Sequence, residues 1–337
     1  MTRARFDVLG IGNAIVDIIA RAEDDFLVRE GLAKGSMRLI DASEAERLYD
    51  HMGPAKEISG GSAGNTIAAL AGLGAQAAYF GKVAEDHLGA IFRHDIRAVG
   101  VHFETAPLHT GAADWAPTAR SMILVTPDGE RTMNTFLGAC THLTPDDVDP
   151  AVVADASIVY LEGYLWDPPA AKEAFRKAAE IAHAHGRRVA LTLSDSFCVD
   201  RWRGEFLELM RSKTVDLIFA NQTEIKALYE TADIDAGIAA LRQDVRLAAV
   251  TLSDEGSLVV SADGVTRVAA SPVETVIDTT GAGDLYAAGF LYGLTHDFDH
   301  AACAELGGLL AAEIIGHVGA RSQTPLVDLA RQAGFPV

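Results

Sequence analysis

Three clusters of residues have the types and spacing to do chemistry. The densest is Ile277-Asp278-Thr279-Thr280-Gly281-Ala282-Gly283-Asp284, followed by the apolar run Leu285 to Leu294. Here a strand-like entry meets a glycine turn and then a helix. Gly281 and Gly283 let the backbone approach a ligand closely, and the free amides of Gly281, Ala282 and Gly283 make an anion hole for a phosphoryl group. Asp284 sits where it can face an incoming hydroxyl. A helix start favours the charged form of an aspartate, so the sequence predicts a weak base at rest. Such a base orients the hydroxyl and accepts its proton late, in a loose phosphoryl-transfer transition state. The structural alternative is an Asp N-cap after a glycine turn.

The second cluster is Ser59-Gly60-Gly61-Ser62-Ala63-Gly64-Asn65 ahead of the helical run Thr66 to Leu73. Gly60 and Gly61 allow close backbone approach to a polar ligand, and Asn65 both donates and accepts hydrogen bonds to sugar-type hydroxyls. Alone it is a Gly-rich helix entry; beside the first cluster it becomes a substrate contact. The third is Asn221-Gln-Thr-Glu224 after the strand-like Leu217 to Ala220. Asn and Glu three apart share one helix face, and a carboxylate there holds Mg²⁺ through water beside nucleotide phosphates. Equally, the pair is a capping box.

These residues need a frame. Short β-branched apolar runs at Phe6–Ile11, Ala77–Gly81, Ser157–Leu161, Arg188–Leu193, Leu217–Ala220 and Leu247–Leu252 alternate with helical spacing at Asn65–Leu73, His87–Val99, Ala170–His185, Phe197–Met210 and Ala282–Leu294. That order predicts an α/β fold whose mostly parallel sheet is flanked by helices. Two stretches, Ile15–Ile40 and Ala119–Phe136, alternate apolar and polar residues. The second holds the turn signal Pro127-Asp-Gly-Glu130. They read as antiparallel strands outside the main sheet, a flap over the carboxyl ends of its strands. The expected division is a core over 1–14, 41–104 and 140–337 and a β-sheet lid over 15–40 and 105–139.

Composition narrows the partners. Lys and Arg number 28 against 47 Asp and Glu, a net charge of −19, so the average field repels nucleic-acid polymers and anionic membranes. The three cysteines have no pairing or zinc spacing. The amino terminus lacks a signal-type apolar stretch and no apolar run approaches the ~20 residues of a membrane span. The expected address is the cytoplasm or another reducing compartment. Gly10-Ile-Gly12-Asn-Ala-Ile15 lacks the third glycine of a dinucleotide fingerprint, and no Walker-type loop occurs.

The three clusters, in this order, resemble the ribokinase-like (PfkB) family of carbohydrate and nucleoside kinases over essentially the whole chain, with its two signatures at Gly60–Gly74 and Asp278–Leu291. The resemblance implies Asp284 as base, Gly281 to Gly283 as anion hole, and Asn221 and Glu224 at the Mg-phosphate site. It also implies a nucleotide-site strand and turn at Thr251-Leu-Ser253-Asp-Glu-Gly256, with Ser253 where the family often has Gly. Gly10-Ile-Gly12-Asn13-Ala-Ile15-Val-Asp17 is similar to the first strand of the adenosine-kinase-like branch, whose Asn and Asp bind ribose hydroxyls, so Asn13 and Asp17 become acceptor ligands. Tyr164, Leu137 and Ile15 form its expected slot for a base; Tyr164 as a core aromatic is the alternative.

The expected activity moves the γ-phosphoryl of Mg-ATP to the 5'-hydroxyl of a nucleoside such as adenosine. The alternatives are a sugar kinase acting on ribose, fructose or a keto-deoxy acid, and a binding protein that has lost turnover. A K⁺ ion at Asp278 is a further expectation from the resemblance. A homodimer stays open.

Overall fold

The computed structural model describes residues 4–337. From the amino end the chain runs β1 (Phe6–Ile11), β2 (Ile15–Arg21), α1 (Asp24–Glu30), β3 (Met37–Leu39), α2 (Ala42–His51), β4 (Ala55–Gly60), α3 (Ser62–Gly72), β5 (Ala77–Phe80), α4 (His87–Ala98), β6 (Ala119–Val125) and β7 (Arg131–Phe136). It continues through α5 (Pro150–Ala154), β8 (Ala156–Glu162), α6 (Pro169–Ala184), β9 (Arg188–Thr192), α7 (Ser196–Arg211), β10 (Leu217–Asn221), α8 (Gln222–Leu228), α9 (Ile234–Asp244) and β11 (Leu247–Thr251). The last elements are β12 (Ser257–Ser261), β13 (Gly264–Val268), α10 (Ala282–Thr295), α11 (His300–Ile314) and α12 (Leu326–Gln332).

Eight strands form one sheet in the order β13-β12-β11-β10-β9-β8-β1-β5, parallel from β11 to β5 and antiparallel at the β12 and β13 edge. β8 shows why: its residues are buried on both faces, which a parallel strand covered by helices on each side requires. One face packs with α3, α10 and α11, the other with α5 to α9. The α10–α11 crossing is tight, since a Cβ on Gly289 would sit 2.7 Å from Gly307 Cα. Both helices are apolar nearly all round, as buried helices are.

A second sheet of five strands has the order β3-β7-β6-β2-β4. It departs from the expected antiparallel flap in three ways. β2 pairs with β6, and β3 with β7, in parallel. The stretch 15–40 is interrupted by α1. Residues 55–60, expected with the core, form β4, which pairs with β2 from Ile15↔Gly60 to Ala20↔Ala55. β4 is short and begins polar, Ala55-Lys-Glu, so no apolar alternation marked it as a strand. β2 leaves β1 across residues 12–14, and β4 runs through Gly61 into α3, so the second sheet joins the core where β2 begins and β4 ends.

Candidate active site

The carboxyl ends of β1, β8, β9, β10 and β11 lie along one edge of the large sheet. The starts of α3 and α10 face each other there, and the pairing is made by side chains. Asp284 Oδ1 accepts from Ser62 Oγ at 2.6 Å and Oδ2 from Asn65 Nδ2 at 2.9 Å, while Thr66 Oγ1 donates to the Asp284 carbonyl at 3.0 Å. The Asn65 carboxamide oxygen is buried without a partner among the described residues. Burial pushes Asp284 up to about 6, against the Ser62 and Asn65 hydrogen bonds and the Arg321 charge, which pull it down. The helix-start argument from sequence favoured the charged form; desolvation outweighs it.

Gly281 caps α10 in the left-handed region at φ 82°, with Ala320 packed where its Cβ would be, so glycine is required there. The expected trio of amides changes by one member. Ala282 N donates to Thr279 O at 3.2 Å, which removes it from the anion hole. The amides of Gly281, Gly283 and Asp284 have no partner among the described residues, and the space a Gly283 Cβ would fill is empty.

The two glycines ahead of α3 prove to accommodate protein atoms. A Cβ on Gly60 would lie 2.3 Å from Asp17 Oδ2, and one on Gly61, at φ 82°, would lie 2.2 Å from the Asn13 carbonyl. They let β2 and the 12–14 turn close on the helix start. Asp17, on β2, is raised to about 6 by burial, opposed by Arg321 and Arg131 and reinforced by Asp284. Asn13, buried at the end of β1, is held by Glu162 at the end of β8. Glu162 Oε1 accepts from Asn13 Nδ2 at 2.8 Å and Asn13 N at 3.3 Å, and Oε2 accepts from Ala63 N at 2.8 Å. Burial raises Glu162 to about 7 despite these bonds.

On the other side, Asn221 and Thr251 are register partners at the ends of β10 and β11. Asn221 and Glu224 form the capping box: Asn221 Oδ1 accepts from Thr223 N and Glu224 N, and Glu224 accepts from Asn221 N and Nδ2. Glu224 is buried and raised to about 7, with Asp195 adding to the effect. Ser253, in the turn after β11, sits at φ 57°, the left-handed conformation that glycine adopts without strain. Gly256, at φ 89°, leaves no room for a Cβ against the Val268 carbonyl.

Asp278 does not offer a cation its carboxylate. Oδ1 accepts from Thr280 N at 3.0 Å, Oδ2 from Gly319 N at 2.9 Å, and Arg131 Nη1 of β7 lies 2.8 Å from Oδ2. The counter-ion of Asp278 is the Arg131 guanidinium. Of the expected base slot, Ile15 and the Leu137–Gly138 segment both border Ala119. Leu137 lines a groove of about 340 Å³ with Leu39, Ile40 and Phe136. Tyr164 is half-buried, its hydroxyl beside Asp195 and within the influence of Glu224 and Asp284, its amide on Ser194 Oγ at 3.1 Å. Ile15 pairs with Gly60 and Ala119 in the small sheet.

Four residues enter that sequence reasoning did not place: Ser62, Glu162, Arg131 and Arg321. Ser62 was readable, three before Asn65 and so on its helix face. Glu162 is the first charge at the end of an apolar strand, where open sheets put ligands. Arg131 follows the hairpin turn as its strand begins. Nothing local marks Arg321.

A buried carboxylate held by Ser62 and Asn65, free amides at a helix start and an α/β sheet with a second sheet at its carboxyl edge are the parts of a ribokinase-like phosphotransferase. The chain belongs to the pfkB family of carbohydrate kinases, whose family model matches residues 32–326. It is an ATP-dependent kinase acting on an alcohol group. The crystal structure of adenosine kinase from Sinorhizobium meliloti is 61% identical, with TM-score 0.91 over 98% of this chain and 100% of that one. A probable sugar kinase from Rhizobium etli CFN 42 is 55% identical, with TM-score 0.91 over 98% of this chain and 99% of that one. Adenosine kinase of Saccharomyces cerevisiae is 27% identical over 332 residues, 92% of this chain and 94% of the yeast protein. No helix among the described residues is long and apolar enough to cross a membrane.

Proposed function

We propose that the enzyme transfers the γ-phosphoryl of ATP to the 5'-hydroxyl of a nucleoside, with adenosine the first choice. The observation that favours a nucleoside over a free sugar is the groove of about 340 Å³ on the small sheet, where Leu39, Ile40, Phe136 and Leu137 offer a planar base apolar walls and Thr135, Thr141 and His142 offer polar groups. The 61% identity to the S. meliloti adenosine kinase supports the same choice.

In this reading Asp17 and Asn13 take ribose hydroxyls, and the unpartnered Asn65 oxygen takes a further hydroxyl donor. The 5'-hydroxyl displaces Ser62 or Asn65 from Asp284, which near neutral pH is mostly ionised and accepts the proton as the new P–O bond forms. The amides of Gly281, Gly283 and Asp284 receive the transferring phosphoryl oxygens. Arg131 stands beside them, its guanidinium buried with no hydrogen-bond partner among the described residues although it pairs with Asp278. An anionic phosphate supplies the acceptors it lacks. Thr251, Ser253 and Gly256 border the nucleotide. Glu224 fits Mg²⁺ only through water, since its oxygens face Asn221, with Asp195 as its neighbouring carboxylate. When bound, the metal offsets charge on the nucleotide phosphates. The five-stranded sheet is the lid over the acceptor.

A sugar kinase is the second reading, favoured by the 55% identity to the R. etli protein. The test is ADP release with adenosine, inosine, guanosine, ribose, fructose and 2-keto-3-deoxygluconate. Turnover on adenosine well above the free sugars is expected; preference for a free sugar overturns the nucleoside reading. Asp284→Asn should lose about a thousandfold or more in kcat with ATP binding kept. A variant that keeps its rate removes Asp284 from the mechanism.

A further inference from the structure

Arg321 lies in the loop between α11 and α12, and its guanidinium is spent on neutral acceptors. Nε and Nη2 donate to the Ser59 carbonyl at 3.1 and 2.9 Å, Nη2 to Ser59 Oγ at 3.1 Å, and Nη1 to the Gly64 carbonyl at 3.2 Å. Among the described residues it makes no ion pair within 4.0 Å of any carboxylate. Yet three aspartates act on it through space, Asp17 from β2, Asp284 from α10 and Asp95 from α4, all favouring its charge against the burial that disfavours it. A buried guanidinium without a contact carboxylate is costly to keep. It is retained here one shell away from two acids whose oxygens the substrate needs. A direct salt bridge would occupy those oxygens, whereas a charge across a short low-dielectric gap acts on them and leaves them free.

We propose that Arg321 is a positioning residue for phosphoryl transfer: it clamps the Ser59–Gly64 segment by its carbonyls and supplies, without contact, the positive field under which Asp284 and Asp17 work as carboxylates. This deepens the reading of Asp284 as base and rests on it. The surroundings leave few other sources for that field. Glu162 on β8 adds negative charge, and Tyr79 on β5 and Tyr160 on β8 are buried phenols held neutral. Arg131 on β7 acts on Asp17 but is engaged with Asp278. Arg321 is the cation that lowers both acids.

The experiment is the pH profile of kcat/KM from pH 5 to 8.5 for the wild type, Arg321→Met and Arg321→Lys, with folding checked by circular dichroism and Asp284→Asn run alongside. The wild type should lose activity below about pH 6. In Arg321→Met the acid limb should move up by about one pH unit, so that activity at pH 6, relative to each protein's own plateau, falls about fivefold further. Arg321→Lys should keep the limb near its wild-type place, even at a reduced rate, because the charge is kept and only the fork is lost. A folded Arg321→Met with an unmoved limb overturns the proposal. Should that variant fail to fold, Arg321→Gln, neutral but still a donor to the Ser59 carbonyl, is judged by the same criterion. An active Asp284→Asn would instead overturn the assignment of the base.

Discussion

Replacing Glu162 by glutamine isolates the cost of burying one charge. Glu162 is 1% exposed and its carboxyl is raised from the ordinary 4.5 to about 7. Below pH 4.5 it is protonated in both the folded and unfolded chain. Between 4.5 and 7 the folded protein still holds a proton that the unfolded chain has released, so stability falls as pH rises, and above 7 the loss is complete. The gap corresponds to about 3 kcal/mol. Glutamine does not titrate, but its amide nitrogen cannot accept, so one of the donors on Asn13 or Ala63 loses its partner, a cost of about 1 to 3 kcal/mol that does not depend on pH. The glutamine variant should therefore be the less stable of the two at pH 5. By pH 8 the glutamine variant should gain about 2 to 3 kcal/mol relative to wild type. Urea unfolding at both pH values measures this, and the other raised acids, Asp17, Asp284 and Glu224, cancel to first order in the difference. If the unfolding free energies of the two proteins run parallel from pH 5 to pH 8, Glu162 is not the buried titrating group described above.

Two other substitutions test local geometry. Ser253→Gly relieves a left-handed serine on an exposed turn, so it should stabilise the protein by about 0.5 to 1 kcal/mol and raise Tm by about 1 to 3 °C in a thermal melt; a lower Tm would mean that the serine hydroxyl carries something the turn needs. Gly60→Ala places a methyl 2.3 Å from an Asp17 oxygen, so kcat/KM for the acceptor should fall about tenfold to a hundredfold while KM for ATP stays within about twofold; equal damage to both substrates in steady-state kinetics would place Asp17 outside the acceptor site.

The frame was readable because its signals are local. Central strands such as β8 are unbroken apolar runs, and α10 announces itself through Gly281 and Gly283. What was not readable depends on contacts distant in sequence. Ser62 and Asp284 are 222 residues apart, Asn13 and Glu162 are 149 apart, and Arg321 and Ser59 are 262 apart. No local pattern announces such pairs. β4 was missed because it begins polar and joins its sheet only by pairing with β2, and α11 because a helix that is apolar all round shows no 3.6-residue stripe. The direction of the Asp284 shift was misjudged for the same reason, although the acid stays mostly ionised near neutral pH: a helix start is visible in sequence, whereas the packing of α3 that buries the carboxylate is not.

The chain enters the small sheet along β2 and returns along β4, so that β2 begins and β4 ends side by side at the Gly-rich segment. Asp17, Gly60, Leu39 and Leu137 therefore travel with residues 15–60 and 119–137, while Gly281, Gly283 and Asp284 belong to a helix more than 140 residues later. Under the proposed roles, acceptor choice is written on the first length and the base with its anion hole on the second, Arg131 being the phosphate contact that the first length lends. Descendants of such a gene can change what they phosphorylate by drift in the first length while the second stays fixed. Chimeras exchanging only those strands with a sugar-specific homologue would carry the acceptor preference with them.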